Sequence, residues 1–377
     1  MPTSQELTQW ALSKGLRLNG IAAHNFPQRG MGIVAKKHFH AGDVLLSVPL
    51  SALRTERTVP ENIRNCIKNI SVQGLLATDL MLDTSQSSTL WKDSVPTKED
   101  MKKAIPFMWE PMLQALLPEA ASKLLAIQKQ KFRSDWDSVS AALPAVSYDD
   151  FVYSWFIVGT RTFYYTHPDT QEPLDSNECL ALVPFADYFN HVDVGCKVTF
   201  SSTGYTFCAE RKIRKGEEIC TNYGNHSNDF LLAEYGFVLE DNKWDEIPLD
   251  KVLLTLFSAK QKEILQEENF WGDYVLDEHS VCYRTQVAVR LLCMPIQTWR
   301  NSLESGFDDY DEYQGAADTI LREALGIYSK AAYEKLEQVL ELSAHLASPK
   351  GMLGKRWKQI HLLISTAIDG LGGQKLE

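Results

Sequence analysis

Four side chains able to move a proton or orient a nucleophile fall within residues 183–237. Asn190 and His191 end the run VPFADYFNH, Tyr223 sits in TNYGNHSN, and Tyr235 in EYGF. Phenols and an imidazole at such spacing suit orienting or acid–base work on a bound substrate. Each has a plainer reading as well. Asn190 and His191 follow an apolar, aromatic run and could be a buried pair satisfied by neighbouring loops. A lone tyrosine is usually core with its hydroxyl bonded. Far upstream, Arg29-Gly30-Met31-Gly32 offers two glycines one residue apart, which let backbone approach a ligand without Cβ interference. A tight turn needing positive φ accounts for the same pattern. A dinucleotide site is disfavoured, because a third glycine is missing and strand, not helix, follows.

Metal chemistry has little support. His191 and Asp187 have no further ligands at zinc spacing, which argues against a metal-dependent hydrolase. The seven cysteines include no C-x-x-C pair, so neither structural zinc nor a dithiol is expected.

The elements that must position these residues follow from periodicity. Residues 30–50 hold two β-prone runs around Ala41-Gly42-Asp43, a hairpin or meander. From 61 to 165 the apolar spacing turns helical, and strand signals return at 197–200, 205–210 and 218–221, punctuated by Thr203-Gly204 and Lys215-Gly216. β material on both sides of a helical block predicts an α+β fold: a β core interrupted by a helical insertion, with strands far apart in sequence pairing. The expected division is a catalytic domain over 1–244, its insertion at about 61–178, and an all-helical domain over 245–377. In the latter, Trp357, Ile360 and Ile364 form a stripe that should be core.

With 44% hydrophobic and 23% charged residues, the 377-residue chain has the composition of a globular protein. No apolar run approaches the roughly 20 residues that span a bilayer, and the first residues lack the features of a secretory signal. The expectation is an intracellular protein, cytoplasmic and/or nuclear, without membrane contact. A formal charge of −11 argues against direct nucleic-acid binding. The acidic cluster Glu304, Asp308, Asp309, Asp311 and Glu312 reads as a solvated loop, or as a surface steering a basic partner.

Taken together these motifs resemble the SET-domain protein methyltransferases, in the branch typified by the plant Rubisco large-subunit lysine methyltransferase. The resemblance spans nearly the whole chain. It rests on GMGIVA at 30–35, AGDVLLSVP at 41–49, GTRTF at 159–163, VPFADYFNH at 183–191, KGEEI at 215–219, NYGNHSN at 222–228 and EYGF at 234–237. It implies a SET-domain β core of short strands, a helical insertion and a helical C-terminal domain that docks a protein substrate. It also implies S-adenosylmethionine against Arg29, Gly30, Met31 and Gly32, touched by Asn190 and His191, with Arg161 near its carboxylate and Asp187 completing the pocket. Tyr223 becomes the principal catalytic phenol, also lining the cofactor, and Tyr235 the second tyrosine beside the target. Asp83 aligns where relatives often carry glutamate, one methylene longer. The implied reaction is methyl transfer to a lysine of a non-histone protein such as a ribosomal protein or translation factor. A histidine acceptor and a non-catalytic SET-like interaction module are the alternatives.

Overall fold

The fold is that of a computed structural model, described for residues 2–27, 29–167, 178–305, 312–343 and 346–371, the side chains of 86–88 apart. Asp308, Asp309 and Asp311 of the acidic cluster lie outside the described residues. The chain divides into two compact units, Met1–Lys103 with Ala126–Asn225, and Ala104–Leu125 with His226–Glu377.

Among the described residues the first unit carries ten strands: β1 (Arg17–Leu18), β2 (Ile21–Phe26), β3 (Gly30–Ala35), β4 (Val44–Pro49), β5 (Arg54–Thr55), β6 (Thr162–Tyr164), β7 (Leu180–Leu182), β8 (His191–Ser201), β9 (Gly204–Cys208) and β10 (Glu218–Ile219). They form three small sheets in the orders β1-β4-β9-β8, β10-β3-β2 and β5-β7-β6. Strands from the two sides of the insertion pair, as the sequence pattern requires. Val34 lies opposite Glu218, Leu46 opposite Phe207, and Arg54 opposite Leu182.

The hairpin or meander expected over 30–50 does not form. β3 already has β2 on one edge and β10 on the other, so β4 joins a different sheet between β1 and β9. The turn at Gly42, with φ +91°, carries the chain between them and is tied to the strand end after β9 through Gly42 N–H to Ala209 O at 2.7 Å. β8 and β9 pair as a hairpin, closed by Gly204 at φ +127°, where a Cβ would sit 2.0 Å from Val48 O.

One insertion helix delivers Arg161. Helix Tyr148–Arg161 is capped by Ser147 and ends on Arg161. Buried Asp135 fixes it to helix Val72–Leu82, accepting from Trp155 Nε1 at 2.8 Å, Ser71 N at 2.9 Å and Ser71 Oγ at 2.7 Å. Gly74 permits this approach, since a Cβ there would meet the Asp135 carboxyl at 2.6 Å.

Among the described residues the regular structure of the second unit is helical except for the ladder of β11 (Glu246–Pro248) and β12 (Val275–Asp277). The Trp357, Ile360 and Ile364 stripe is buried in its core, as its spacing predicted. That core also takes Leu113, Leu116, Leu117, Ala121 and Leu125, so the insertion is shared between the two units. The apolar face of 104–125 is the cause, and Trp357 Nε1 donates to Leu116 O at 2.8 Å.

Candidate active site

The glycines of 30–32 serve two different needs. Gly30 has φ +72°, a region that favours glycine. Gly32 lies under Asn190: a Cβ there would fall 2.9 Å from Asn190 Nδ2 and 2.7 Å from the Phe26 ring. The first-unit cluster is therefore built by close approach of β3 to the segment ahead of β8. Asn190 Nδ2 donates to Glu218 Oε1 at 2.7 Å and, at 3.4 Å, to Met31 O. Glu218 holds Arg29 with its other oxygen at 2.8 Å, and the same guanidinium reaches His191 O at 3.4 Å.

Beside this wall, Tyr223 is fixed at both ends. Its backbone N–H donates to His191 Nδ1 at 3.1 Å, its ring tilts against the imidazole at 5.0 Å, and its hydroxyl donates to Phe189 O at 2.7 Å. Thr221 N–H to Asn190 O at 2.9 Å ties the two segments just before that point. Because Nδ1 accepts, the neutral imidazole carries its proton on Nε2. A hydroxyl committed to a carbonyl presents its lone pairs as acceptors, which suits orienting an N–H group.

Arg161 and Asp187 form a second cluster. Arg161 Nε lies 3.6 Å from Asp187 Oδ2, which accepts from Trp91 Nε1 at 2.9 Å. The Asp187 side chain is 1% exposed, and desolvation pushes its carboxyl up to about 6 against the opposing pull of Arg161 and the Trp91 hydrogen bond. Among the described residues, Arg161 Nε and Asp187 Oδ1 are buried without hydrogen-bond partners. The turn leading in is strained: buried Phe185 has φ +67°, rare for a bulky residue and found mostly where surroundings enforce it. A cavity of about 480 Å³ borders this cluster, lined among others by Asp187, Trp91, Trp10, Arg54 and Asp83. Asp83 sits there, with Arg54 bridging it at 2.9 Å to Asp79 at 2.6 Å, and not in the Gly30–Asn190 cluster.

Tyr235 belongs to the second unit. It ends the π-helical turn Leu231–Tyr235, a distortion common at functional sites, and Gly236 follows at φ +76°. Burial pushes its phenol up to about 12, with Glu234 adding to the effect, so it stays protonated at neutral pH. Its ring neighbours are Phe230 at 6.4 Å and Phe237 at 6.2 Å.

The SET-domain model matches residues 30–224, more than half of the chain. The chain belongs to the SET-domain family. A second model, the ribosomal lysine N-methyltransferase 2 C-terminal domain, matches residues 245–370. Among curated SET relatives, ribosomal lysine N-methyltransferase 2 of Saccharomyces cerevisiae is 29% identical over 310 residues, covering 68% of this chain and 64% of the yeast protein. Ribosomal lysine N-methyltransferase set11 of Schizosaccharomyces pombe is 28% identical over 286 residues, 75% of this chain and 73% of that one. The chain thus spans just under two thirds of the budding-yeast relative. The solved structure of Rubisco LSMT bound to AdoMet superposes with a TM-score of 0.64 at 18% identity, covering 99% of this chain and 93% of that one, a likeness of fold.

Two residues of the candidate site escape sequence reading. Glu218 looks like a strand residue in KGEEI until β10 pairs with β3, and Trp91 lies 96 residues from the carboxylate it bonds. Among the described residues there is no group of three or more His, Cys, Asp or Glu that could hold a metal, and no helix long and apolar enough to cross a membrane.

Proposed function

We propose that this protein is an S-adenosylmethionine-dependent protein-lysine N-methyltransferase acting inside the cell on a ribosomal protein. The reading rests above all on Tyr223, whose hydroxyl is fixed by Phe189 O while His191 holds its backbone. Family membership and the ribosomal lysine methyltransferase C-terminal match support the substrate class.

The residues present fit the cofactor. Gly30 and Gly32 keep Cβ atoms off the wall, and Arg161 Nε, ion-paired with Asp187 at 3.6 Å, has no hydrogen-bond partner among the described residues and so could donate to a ligand acceptor. Arg29, Met31, Asn190, His191, Asp187 and Tyr223 would complete its surroundings. When bound, S-adenosylmethionine supplies an electrophilic methyl on a sulfonium. The acceptor must arrive as a neutral amine, because an ammonium has no lone pair; its ordinary pKa of about 10.4 falls on desolvation. Tyr223 would accept an N–H of that amine and aim its lone pair at the methyl the bound cofactor would supply, and the acceptor's excess proton would leave for solvent. Tyr235, protonated below about 12, can donate or accept a hydrogen bond but is no base at neutral pH. The chain's contribution is positioning and electrostatics.

The test incubates the purified protein with methyl-labelled S-adenosylmethionine and ribosomes. Label in one ribosomal protein, recovered as methyl-lysine after acid hydrolysis, is the expected result. Methyl-histidine would move the acceptor, and a chain that binds cofactor but labels nothing would be a binding module.

A further inference from the structure

The contacts of Glu218 reach beyond the pairing of its strand. Its two carboxylate oxygens are divided, Oε2 to Arg29 at 2.8 Å and Oε1 to Asn190 Nδ2 at 2.7 Å, with its side chain 14% exposed. The direction of the Asn190 amide follows from chemistry. A carboxylate and the Met31 carbonyl can only accept, so the group facing both is the amide NH2. Gly32 leaves the room for this arrangement, a Cβ there falling 2.9 Å from the same nitrogen. With both N–H groups turned to Glu218 and Met31, the amide oxygen is the atom left for a ligand.

We propose that Glu218 is a positioning residue: it locks the Asn190 amide nitrogen inward, so that the oxygen is offered to an N–H donor of the ligand, an ammonium or exocyclic amine. Arg29 neutralises the Glu218 carboxylate from the solvent side and, through His191 O, joins the same clamp to the backbone of the Tyr223 holder. Glu218 therefore acts on cofactor affinity through Asn190, without touching the reacting atoms. The ligand class rests on the methyltransferase reading; the locked amide does not.

Two measurements test it. In calorimetric titrations with S-adenosylmethionine, Glu218→Ala should raise Kd about tenfold, as expected for loss of a charge-assisted hydrogen bond. Glu218→Gln, which keeps one acceptor, should stay within about threefold. In an Asn190→Ala background Glu218→Ala should change Kd less than about twofold, because a residue acting through another loses its effect when the other is gone. Multiplying effects, or an unchanged Kd in Glu218→Ala alone, would overturn the proposal. The second measurement needs no cofactor: with asparagine side chains 15N-labelled, the Asn190 NH2 signals of the full chain should lie downfield and move to the free-amide position in Glu218→Ala. An amide that stays put defeats the locking itself. A wild-type chain whose amide behaves as described but binds no S-adenosylmethionine would sink the cofactor reading and the ligand class, leaving Glu218 as the holder of Asn190.

Discussion

Replacing Tyr223 by phenylalanine separates orientation from architecture, because the structure divides the residue's contacts cleanly. The backbone N–H to His191 Nδ1 at 3.1 Å and the ring against the imidazole at 5.0 Å survive the change. Only the hydroxyl is lost, with its 2.7 Å bond to Phe189 O. One partly buried neutral hydrogen bond is worth about 1 kcal/mol net to folding, so the melting temperature should fall only by a few degrees. Turnover should fall far more. Removing one preorganised group from a reaction centre costs on the order of 10²-fold, or about 2.7 kcal/mol of barrier. Single-turnover transfer of labelled methyl to ribosomes measures the rate, and calorimetry the cofactor affinity, which on the proposed role of Tyr223 toward the acceptor should stay within about threefold. A variant that turns over within threefold of wild type, or that loses rate only in proportion to cofactor binding, would remove Tyr223 from the orienting role.

Two other perturbations probe buried charge. The Asp187 carboxyl sits at about 6 in the folded chain against an ordinary 3.8, so the fold favours its neutral form. Its contribution to stability is whole below about pH 4 and is lost as pH rises to about 6; the gap, at about 1.36 kcal/mol per pH unit, sets a ceiling near 3 kcal/mol. Asp187→Asn, neutral throughout, should therefore gain on wild type by up to that amount between pH 4 and 7 in urea melts, and parallel profiles would refute the assignment. In the second unit, fully buried Arg356 binds Asp229 Oδ1 and Asp245 Oδ2, each at 2.6 Å. Arg356→Met should cost about 3–5 kcal/mol by leaving carboxylates unpaired, and adding Asp229→Asn should recover part of it. A loss under about 1 kcal/mol, or no recovery, would mean water or rearrangement already compensates these charges.

What the sequence made legible is what periodicity and motif order encode. The β core split by helices, the gathering of Gly30, Gly32, Asn190, His191 and Tyr223, and the buried Trp357 stripe are all present in the structure. Periodicity says that a face is apolar without saying which core receives it, so the capture of 104–125 by the second unit could not be read. A strand signal does not name its partners, hence the mistaken hairpin or meander over 30–50. Phe185 at φ +67° and the π turn before Tyr235 are imposed by surroundings and break the local rules a sequence reading depends on.

Arg356 shows the same limit from the polar side. It lies next to Trp357 in the stripe and by residue type belongs on the solvated face, yet it is fully buried because Asp229 and Asp245 meet it from more than 100 residues away. Asp245 Oδ1 also accepts the Asn228 N–H at 2.9 Å, and Gln359, one turn along the same helix, donates to Leu239 O at 2.6 Å. One face of helix Ala347–Gly370 thus grips both ends of the stretch that carries Tyr235. The helix assigned by its sequence match to the C-terminal domain therefore fixes the backbone on which the second tyrosine sits. If that coupling matters, Arg356→Met should disturb the exchange protection of Leu231–Tyr235 well before the unit unfolds, and protection lost only at global unfolding would show that the helix merely shares its core.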